Sequence, residues 1–281
     1  VGGDEKELYA NLDTAENDAD RVSLNATGFQ LTSAANTVNG TGYTYIYIAI
    51  RRPMKTPESG TEVFLVDDRA AATPAFVSDF PVDLYWTRAK TGGNFFDYAR
   101  LRGDKYLQHD GTNAETSGGA FFDSNTGVGS SGSASADNLA WMFKRAPGFF
   151  DVVCYTGTGT NRTVAHNLGV VPELMIVKSR SGANDWAVYS SAVGNTKALF
   201  LNTTATPDTW DAYWNDTTPT SSVLTVGTGS PVNQSSVTYI AYLFATLAGV
   251  SKVGSYTGTG ADLNVDCGFT AGARFILIKR T

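Results

Sequence analysis

The chain repeats itself at an interval of 101 residues, and this feature constrains its fold more than any other. Residues 152–159 read VVCYTGTG, and residues 253–260 read VGSYTGTG. At the same interval, the run LMIVK at 174–178 corresponds to FILIK at 275–279. Similarity at a fixed interval indicates that one structural unit occurs several times in a chain. We therefore expect tandem units of about 100 residues.

A third recurring element, an aromatic run, defines where the units end. The run YIAYLF at 239–244 resembles residues 139–143 and, at a slightly different interval, residues 45–50. Each unit thus begins with the YTGTG strand and turn, continues through an apolar strand closed by Lys or Arg, and ends with the aromatic strand. This order predicts the C-terminal part of repeat 1 at 1–53, repeat 2 at 54–148, repeat 3 at 149–248 and the N-terminal part of repeat 4 at 249–281.

Local patterns within the units predict β-strands. The runs 174–177 and 275–278 are short, continuously apolar and closed by Lys, as buried strands are. The 29 glycines favour turns, and the Gly/Ser run 127–135 predicts a flexible loop. We expect an all-β fold of tandem antiparallel units that resemble β-sandwiches.

One stretch admits a second interpretation. Leu8, Leu12, Ala15, Ala19 and Val22 fall at helical spacing. The equivalent stretch of repeat 2, residues 105–119, is rich in Gly, Thr and Asn and lacks this spacing. We favour a strand followed by a loop, with a helix as the alternative.

Charge and hydropathy argue against two classes of partner. The net charge is −6, and Lys and Arg form nothing larger than pairs, so a nucleic-acid partner is not expected. The chain has no apolar run near the ~20 residues of a membrane span, so a membrane partner is not expected either.

The search for catalytic chemistry yields weak candidates. A glycosidase needs two carboxylates roughly 5–10 Å apart. Repeat 2 has carboxylates that could form such a pair, but no Asp/Glu pair recurs in two units, so we interpret them as solvated loop acids: Asp67, Asp68, Asp97, Asp110, Glu115 and Asp123. The Gly-Thr-Gly runs lack the Gly-Lys-Ser/Thr of a phosphate loop and are predicted to be hairpin turns.

Metal and thiol chemistry is not expected. His166 corresponds to Cys267 in the next unit, and Cys154 corresponds to Ser255, substitutions that a catalytic Cys-His pair would not tolerate. We interpret them as small buried polar positions near strand ends and predict no disulfide. The acidic stretch 13–20 lacks the Gly and Glu of an EF-hand, which leaves a looser calcium or magnesium site as an alternative. We predict no catalytic residue, metal or cofactor.

The most distinctive candidate site is the stretch 210–216, WDAYWND. Aromatic faces beside Asp and Asn are what a sugar-binding platform needs, which makes Trp210, Tyr213 and Trp214 candidate ligand-binding residues. The alternative is that Trp210 or Trp214 covers the sheet. Exposed, coplanar rings would support a platform.

Several phrases of the chain resemble one family. They are YIYIAIRRP at 45–53, FFDVVCYTG at 149–157, YIAYLFA at 239–245 and GFTAGARFILIK at 268–279. They are similar to a tandem β domain of unassigned function in structural and tail-fibre-like proteins of tailed phages.

This resemblance implies a structural protein rather than an enzyme: a tail-fibre or appendage segment in the virion, which presents β domains for host or receptor contact. Its expected partners are further copies of itself, as a trimer, other virion proteins and a host-surface glycan. A carbohydrate-binding module and a polysaccharide depolymerase are the alternatives.

The incomplete repeats at the two ends allow two hypotheses. The 53 residues of repeat 1 and the 33 of repeat 4 together make nearly one unit. The two pieces could complete a domain, within a chain or between neighbouring chains, by strand exchange. Alternatively, the chain is part of a longer protein, which we favour.

Overall fold

The computed structural model of the chain describes residues 21–24, 29–49, 54–130 and 137–281. Nearly all of their regular structure is antiparallel β-sheet, so the expected all-β class is confirmed. Within this part of the chain, no helix is both long enough and apolar enough to cross a bilayer.

The N-terminal region contributes a two-stranded hairpin. Strand β1 (Val22–Leu24) pairs antiparallel with β2 (Phe29–Leu31). Val22 is the first residue of β1; the other residues with helical spacing, and the acidic stretch 13–20, lie outside the described residues.

The next region forms one large and one small sheet. Its strands are β3 (Phe64–Asp68), β4 (Phe76–Val77), β5 (Leu84–Ala89), β6 (Phe96–Ala99), β7 (Lys105–Gln108), β8 (Thr116–Ser117), β9 (Ala120–Phe121), β10 (Gly127–Ser130) and β11 (Asn138–Phe143). The first large sheet has the order β3-β11-β5-β6-β7-β8, and the first small sheet has the order β4-β10-β9. Short 3-10 helices cover Gly60–Glu62 and Arg100–Arg102.

The following region also forms one large and one small sheet, and its large sheet has a corresponding strand order. Its elements are β12 (Phe150–Thr156), β13 (Arg162–Ala165), β14 (Leu174–Ser179), β15 (Ala187–Ser190), β16 (Lys197–Phe200), β17 (Asp208–Thr209), α1 (Asp211–Trp214), β18 (Val223–Val226), α2 (Ser230–Asn233) and β19 (Thr238–Phe244). The second large sheet has the order β12-β19-β14-β15-β16-β17, and β13 pairs with β18 in the second small sheet. In both large sheets the last strand of the region lies between the first and second strands of that sheet.

The sheets pack in four layers: small, large, large, small. Alternate side chains of each central strand enter different cores, because successive residues of a strand point to opposite faces. In β19, Tyr239, Ala241 and Leu243 pack toward the second small sheet, whereas Ile240 and Tyr242 pack toward the first large sheet. Both faces of such a strand are buried, which explains why its sequence is continuously apolar.

A hydrophobic core between the two large sheets joins the two regions. It joins Phe64, Trp86 and Phe143 of the first sheet to Phe150 and Trp186 from the second region. Burial of aromatic side chains stabilises a sheet contact strongly, at about 25 cal/mol for each Å² of apolar surface removed from water. The two large sheets therefore fold against each other rather than as independent layers.

Several sequence predictions of strands are correct and three are wrong. The apolar run 174–177 lies in β14, and the aromatic runs at 139–143 and 239–244 lie in β11 and β19. In contrast, residues 45–49, 253–257 and 275–278 form no strand. A strand needs hydrogen bonds to a neighbour, and these segments pair with no other described residue. Suitable side chains alone do not form a sheet.

The prediction of a flexible loop for the Gly/Ser run is wrong for residues 127–130. Residues 127–130 form β10, in contact with β4 and β9, whereas 131–136 lie outside the described residues. At Gly127 a β-carbon would lie 2.1 Å from the Phe76 carbonyl oxygen, so the strand pair requires glycine there.

Candidate functional site

The predicted sugar platform does not form, because two of its three rings are buried. Tyr213 and Trp214 lie in the core behind the second large sheet, and Trp210 alone is exposed, at 49%. The Tyr213 hydroxyl donates to Asp208 Oδ2 (3.1 Å), and Trp214 Nε1 donates to the Lys197 carbonyl (3.0 Å). The Trp210 and Tyr213 rings meet at 88°, so they are not coplanar. The side chain of Trp214 covers the sheet, as the alternative interpretation expected, and Tyr213 packs into the same core.

An aromatic groove of about 990 Å³ lies at one side of the first large sheet. One wall carries Trp86, Phe95, His109 and Trp141, and the chain segment at Phe275 forms another. The Phe95 ring stacks on both His109 (4.9 Å) and Trp141 (5.3 Å). Trp86 of β5 and Trp141 of β11 lie side by side here because their strands pair. Phe95, just before β6, and His109, just after β7, complete this wall.

Behind this groove lies a buried ionic cluster, which we call the Asp97 cluster: Asp97, Arg102, His109, Trp86 and Tyr242. The carboxylate of Asp97 accepts hydrogen bonds from Trp86 Nε1 (2.8 Å), the Tyr242 hydroxyl (2.6 Å) and the Arg102 guanidinium. His109 Nε2 lies 3.4 Å from Asp97 Oδ2. Tyr242 belongs to β19 and the other residues to the preceding region, so the cluster joins the two large sheets.

The electrostatics of this cluster favour the charged forms of Asp97 and Arg102 and the neutral form of Tyr242. Burial opposes ionisation of Asp97, but attraction to Arg102, the nearby His109 and the hydrogen bond from Tyr242 outweigh it and lower its pKa. Burial likewise acts against the charge of Arg102, but nearby Tyr242, Asp97 and Glu115 raise its pKa. Burial raises the pKa of Tyr242 well above its ordinary value, so its hydroxyl keeps the proton that it donates.

Four of the six candidate carboxylates of repeat 2 have structural partners. Asp97 is fully buried, so its interpretation as a solvated loop acid is wrong. Glu115 accepts two hydrogen bonds from Arg180, at 2.8 and 2.9 Å. Burial acts to raise the pKa of Glu115, but Arg180 outweighs it and the pKa is lowered. A general acid needs a raised pKa, and neither Asp97 nor Glu115 has one. Asp67 accepts from the Val77 amide, and Asp68 pairs with Lys90.

Lys178, which we interpreted only as the end of an apolar strand, is fully buried and links the two regions. Its ammonium donates to the carbonyls of Thr112 (3.0 Å), Ser179 (2.9 Å) and Gly182 (3.3 Å). Together with the Arg180–Glu115 pair, it connects the end of β14 to the loop before β8. The only sequence signal for this contact is that two basic residues, Lys178 and Arg180, follow an apolar run. This signal does not distinguish a buried Lys from an exposed one.

Burial lowers the pKa of Lys178 to about 8, which predicts a pH dependence. In the unfolded chain, Lys titrates near 10.4, so between pH 8 and 10 the unfolded state binds more protons than the folded state. The contribution of Lys178 to the free energy of unfolding therefore rises with pH in this window, by about 2 kcal/mol. We expect the free energy of unfolding, measured in urea, to rise for the wild type relative to Lys178→Met between pH 8 and 10. A difference that stays constant with pH would contradict this.

The Gly-Thr-Gly run after β12 is a turn, but it does not form a hairpin. It carries the chain from the second large sheet to β13 in the second small sheet. Its amides are satisfied internally: Thr158 and Gly159 donate to Asn233 (2.9 and 2.8 Å), and Gly157 donates to the Val237 carbonyl (2.8 Å). These amides do not point into an open cradle for phosphate.

The His and Cys residues occupy structural positions. His166 is buried just after β13, where its Nε2 lies 3.1 Å from the Thr220 carbonyl, as expected for a buried polar residue at a strand end. Burial lowers its pKa. Cys154 lies within β12 rather than at its end, and both Cys154 and Cys267 are half-buried free thiols. In the described part of the chain, no group of three or more His, Cys, Asp or Glu is arranged to hold a metal ion.

Comparison with known proteins identifies a family. Neither the curated proteins nor the solved structures contain a match to this chain. One family matches residues 118–281, from just before β9 through the whole second large sheet to the last residue. Because the match spans more than half of the 281 residues, the chain belongs to the family described as a domain of unknown function, DUF7483.

Proposed function

We propose that this chain is a structural protein built from tandem β repeats, and that it forms a segment of a virion appendage such as a phage tail fibre. In this role the repeats present their loops for contact with a host or receptor. The proposal combines the repeat sequence, the resemblance to tail-fibre-like proteins and the packing of the two large sheets.

The matching strand order is the observation that carries the repeat organisation. The last residue of each closing strand pairs at equivalent positions: Phe143 pairs with Phe64 and Leu84, and Phe244 pairs with Phe150 and Leu174. The small sheets also correspond, since β4 pairs with β10 as β13 pairs with β18. This agreement supports repeats at 54–148 and 149–248, flanked by parts of further repeats at 1–53 and 249–281.

The contact between the large sheets supports a role that needs a stiff protein. Apolar packing, the Asp97 cluster and the hydrogen bonds of Lys178 all cross from one region to the other. A contact that combines apolar packing with buried ionic bonds resists sliding of one sheet over the other, because such a movement would leave buried charges without partners. Such repeats suit an extended appendage better than a flexible string of domains.

Two measurements test the proposal. We expect peptides of this chain in density-purified particles from its source, and immunogold label on an appendage in electron micrographs. Native mass spectrometry is expected to give an oligomer, a trimer by the resemblance, of chains of at least 29.9 kDa. Peptides confined to the particle-free fraction, or a monomer at all concentrations, would overturn the proposal.

The aromatic groove supports carbohydrate binding as a second candidate function. Beside its aromatic wall, the groove carries Arg88 and Asp110, which are exposed and offer polar contacts for hydroxyl groups. We expect glycan-array signals of the purified chain to weaken at least tenfold in Arg88→Ala. The matched control is Lys55→Ala, in which the lost cation is exposed and does not line the groove. Equal signals for both variants would argue against this groove.

A further inference from the structure

Two arginine side chains line the aromatic groove without a partner. Arg88 and Arg274 both border the groove, and both are exposed. Among the residues that the structure describes, neither guanidinium forms an ion pair or a side-chain hydrogen bond. The nearby ammonium of Lys90, in contrast, pairs with Asp68 at 2.6 Å. The two guanidiniums therefore keep their hydrogen-bond donors free for a ligand in the groove.

The geometry of β5 places Arg88 beside the aromatic wall. Arg88 follows Trp86 by two residues in this strand, so both side chains point to the same face of the sheet. Trp141 lies directly opposite Trp86 in the neighbouring strand β11. Phe95 and Trp141 are half-buried, which leaves part of their apolar surface open to the groove. A cation and an apolar surface thus face the same cavity.

The other wall is fastened to the molecule at two points. The Phe275 ring lies 5.7 Å from the Phe64 ring and 5.8 Å from the Trp86 ring, measured between centroids. The Lys279 ammonium donates to the Thr203 carbonyl. These contacts hold Arg274, the neighbour of Phe275, at the side of the groove, so each wall carries one guanidinium. Groups that are held in place before a ligand arrives lose little conformational freedom on binding.

The charge of the groove is opposite to that of the whole chain. The net charge of the chain is −6, whereas the groove is lined by two arginines and one carboxylate, Asp110. An acidic protein repels an anionic polymer at long range, so binding of such a polymer depends on local contacts. A guanidinium matches a carboxylate with two parallel hydrogen bonds. The aromatic wall suits the apolar face of a sugar ring.

We propose that the aromatic groove binds an acidic glycan, whose carboxylates pair with Arg88 and Arg274 while its sugar rings pack against Phe95 and Trp141. A uronic-acid ring carries an apolar face and a carboxylate on one rigid frame, so both contacts form with less loss of conformational entropy than the flexible side chains of an acidic peptide incur. This inference rests on the second candidate function above, carbohydrate binding in the groove, and names its ligand class.

The test compares acidic sugars with neutral sugars of the same ring and linkage. Isothermal titration calorimetry of the purified full chain uses hexasaccharides of galacturonate and of mannuronate, and the counterparts in which each carboxylate is reduced to a hydroxymethyl group. We expect at least one acidic hexasaccharide to bind about tenfold more tightly than its reduced counterpart. Equal binding of both forms would overturn the inference and leave carbohydrate binding intact, whereas no binding of any form would overturn both.

Variants locate the contact. Arg88→Gln and Arg274→Gln each remove one exposed cation, and each is expected to weaken binding of the acidic hexasaccharide about tenfold with little effect on the reduced form. The matched control is Lys252→Gln, which removes an exposed cation that does not line the groove and should bind as the wild type does. An equal loss in Lys252→Gln would indicate a general charge effect and overturn the inference.

Poly-L-glutamate separates an acidic glycan from an acidic peptide. It supplies carboxylates without a sugar ring, so we expect it to bind more weakly than the acidic hexasaccharide at equal carboxylate concentration. Binding of poly-L-glutamate that is as tight would assign the groove to acidic peptides and overturn the inference. Because these titrations use the purified chain, their result does not depend on whether the chain occurs in particles.

Discussion

Asp97→Asn is expected to lower the free energy of unfolding by about 3–5 kcal/mol, because it leaves Arg102 charged and buried without its partner. Both side chains are fully buried, and the Asp97 carboxylate also accepts from Trp86 and Tyr242. Urea denaturation followed by tryptophan fluorescence measures the loss. Since the folded state lowers the pKa of Asp97, this contribution is present at neutral pH and is lost as the pH falls below about 4.

The exposed pair Asp68–Lys90 is the matched control. Its atoms lie 2.6 Å apart, but both side chains are at least 48% exposed. Exposed ion pairs contribute about 0–1 kcal/mol, so Asp68→Asn should change the free energy of unfolding by no more than this. If Asp97→Asn costs as little as Asp68→Asn, the buried cluster does not stabilise the fold as we describe.

A double variant tests whether the loss comes from the unpaired charge. Replacing both members of a buried ion pair removes the charge that a single substitution leaves uncompensated. We expect Asp97→Asn with Arg102→Met to be more stable than the sum of the two single losses, by about 0.5–3 kcal/mol. Strict additivity would show that Asp97 and Arg102 do not act as a pair.

Trp186→Ala is expected to lower the free energy of unfolding by about 3–5 kcal/mol, the range for removing a large aromatic side chain from a core. Trp186 is fully buried between the large sheets, and its Nε1 donates to the carbonyls of Gln108 (2.9 Å) and Gly111 (3.2 Å). The substitution therefore leaves a cavity and also removes the one N–H donor that the two carbonyls of the other region share.

Trp210→Ala is the control for this substitution. It removes the same side chain from an exposed position just before α1, and we expect a change within about 0.5 kcal/mol. Thermal unfolding of the two variants side by side measures the contrast. A loss for Trp186→Ala no greater than that for Trp210→Ala would mean that the large sheets do not pack on each other in solution.

Local sequence patterns predict much of the fold. Continuous apolar runs identify β14 and β19, because strands with both faces buried admit few polar side chains. The candidate site is less predictable. Trp210, Tyr213 and Trp214 lie within one polar loop sequence, but their burial differs because α1 turns two of them into the core.

The sequence by itself determined the all-β class and the interval at which similar strands recur, because both depend on side-chain patterns along the chain. Tertiary structure alone decided which runs become strands, since hydrogen-bonded pairing requires a neighbour and residues 45–49 and 275–278 have none among the described residues. It also decided that Asp97, Arg102 and Lys178 are buried links between sheets. Their side chains are ordinary surface types, and only the packing of distant segments removes them from water.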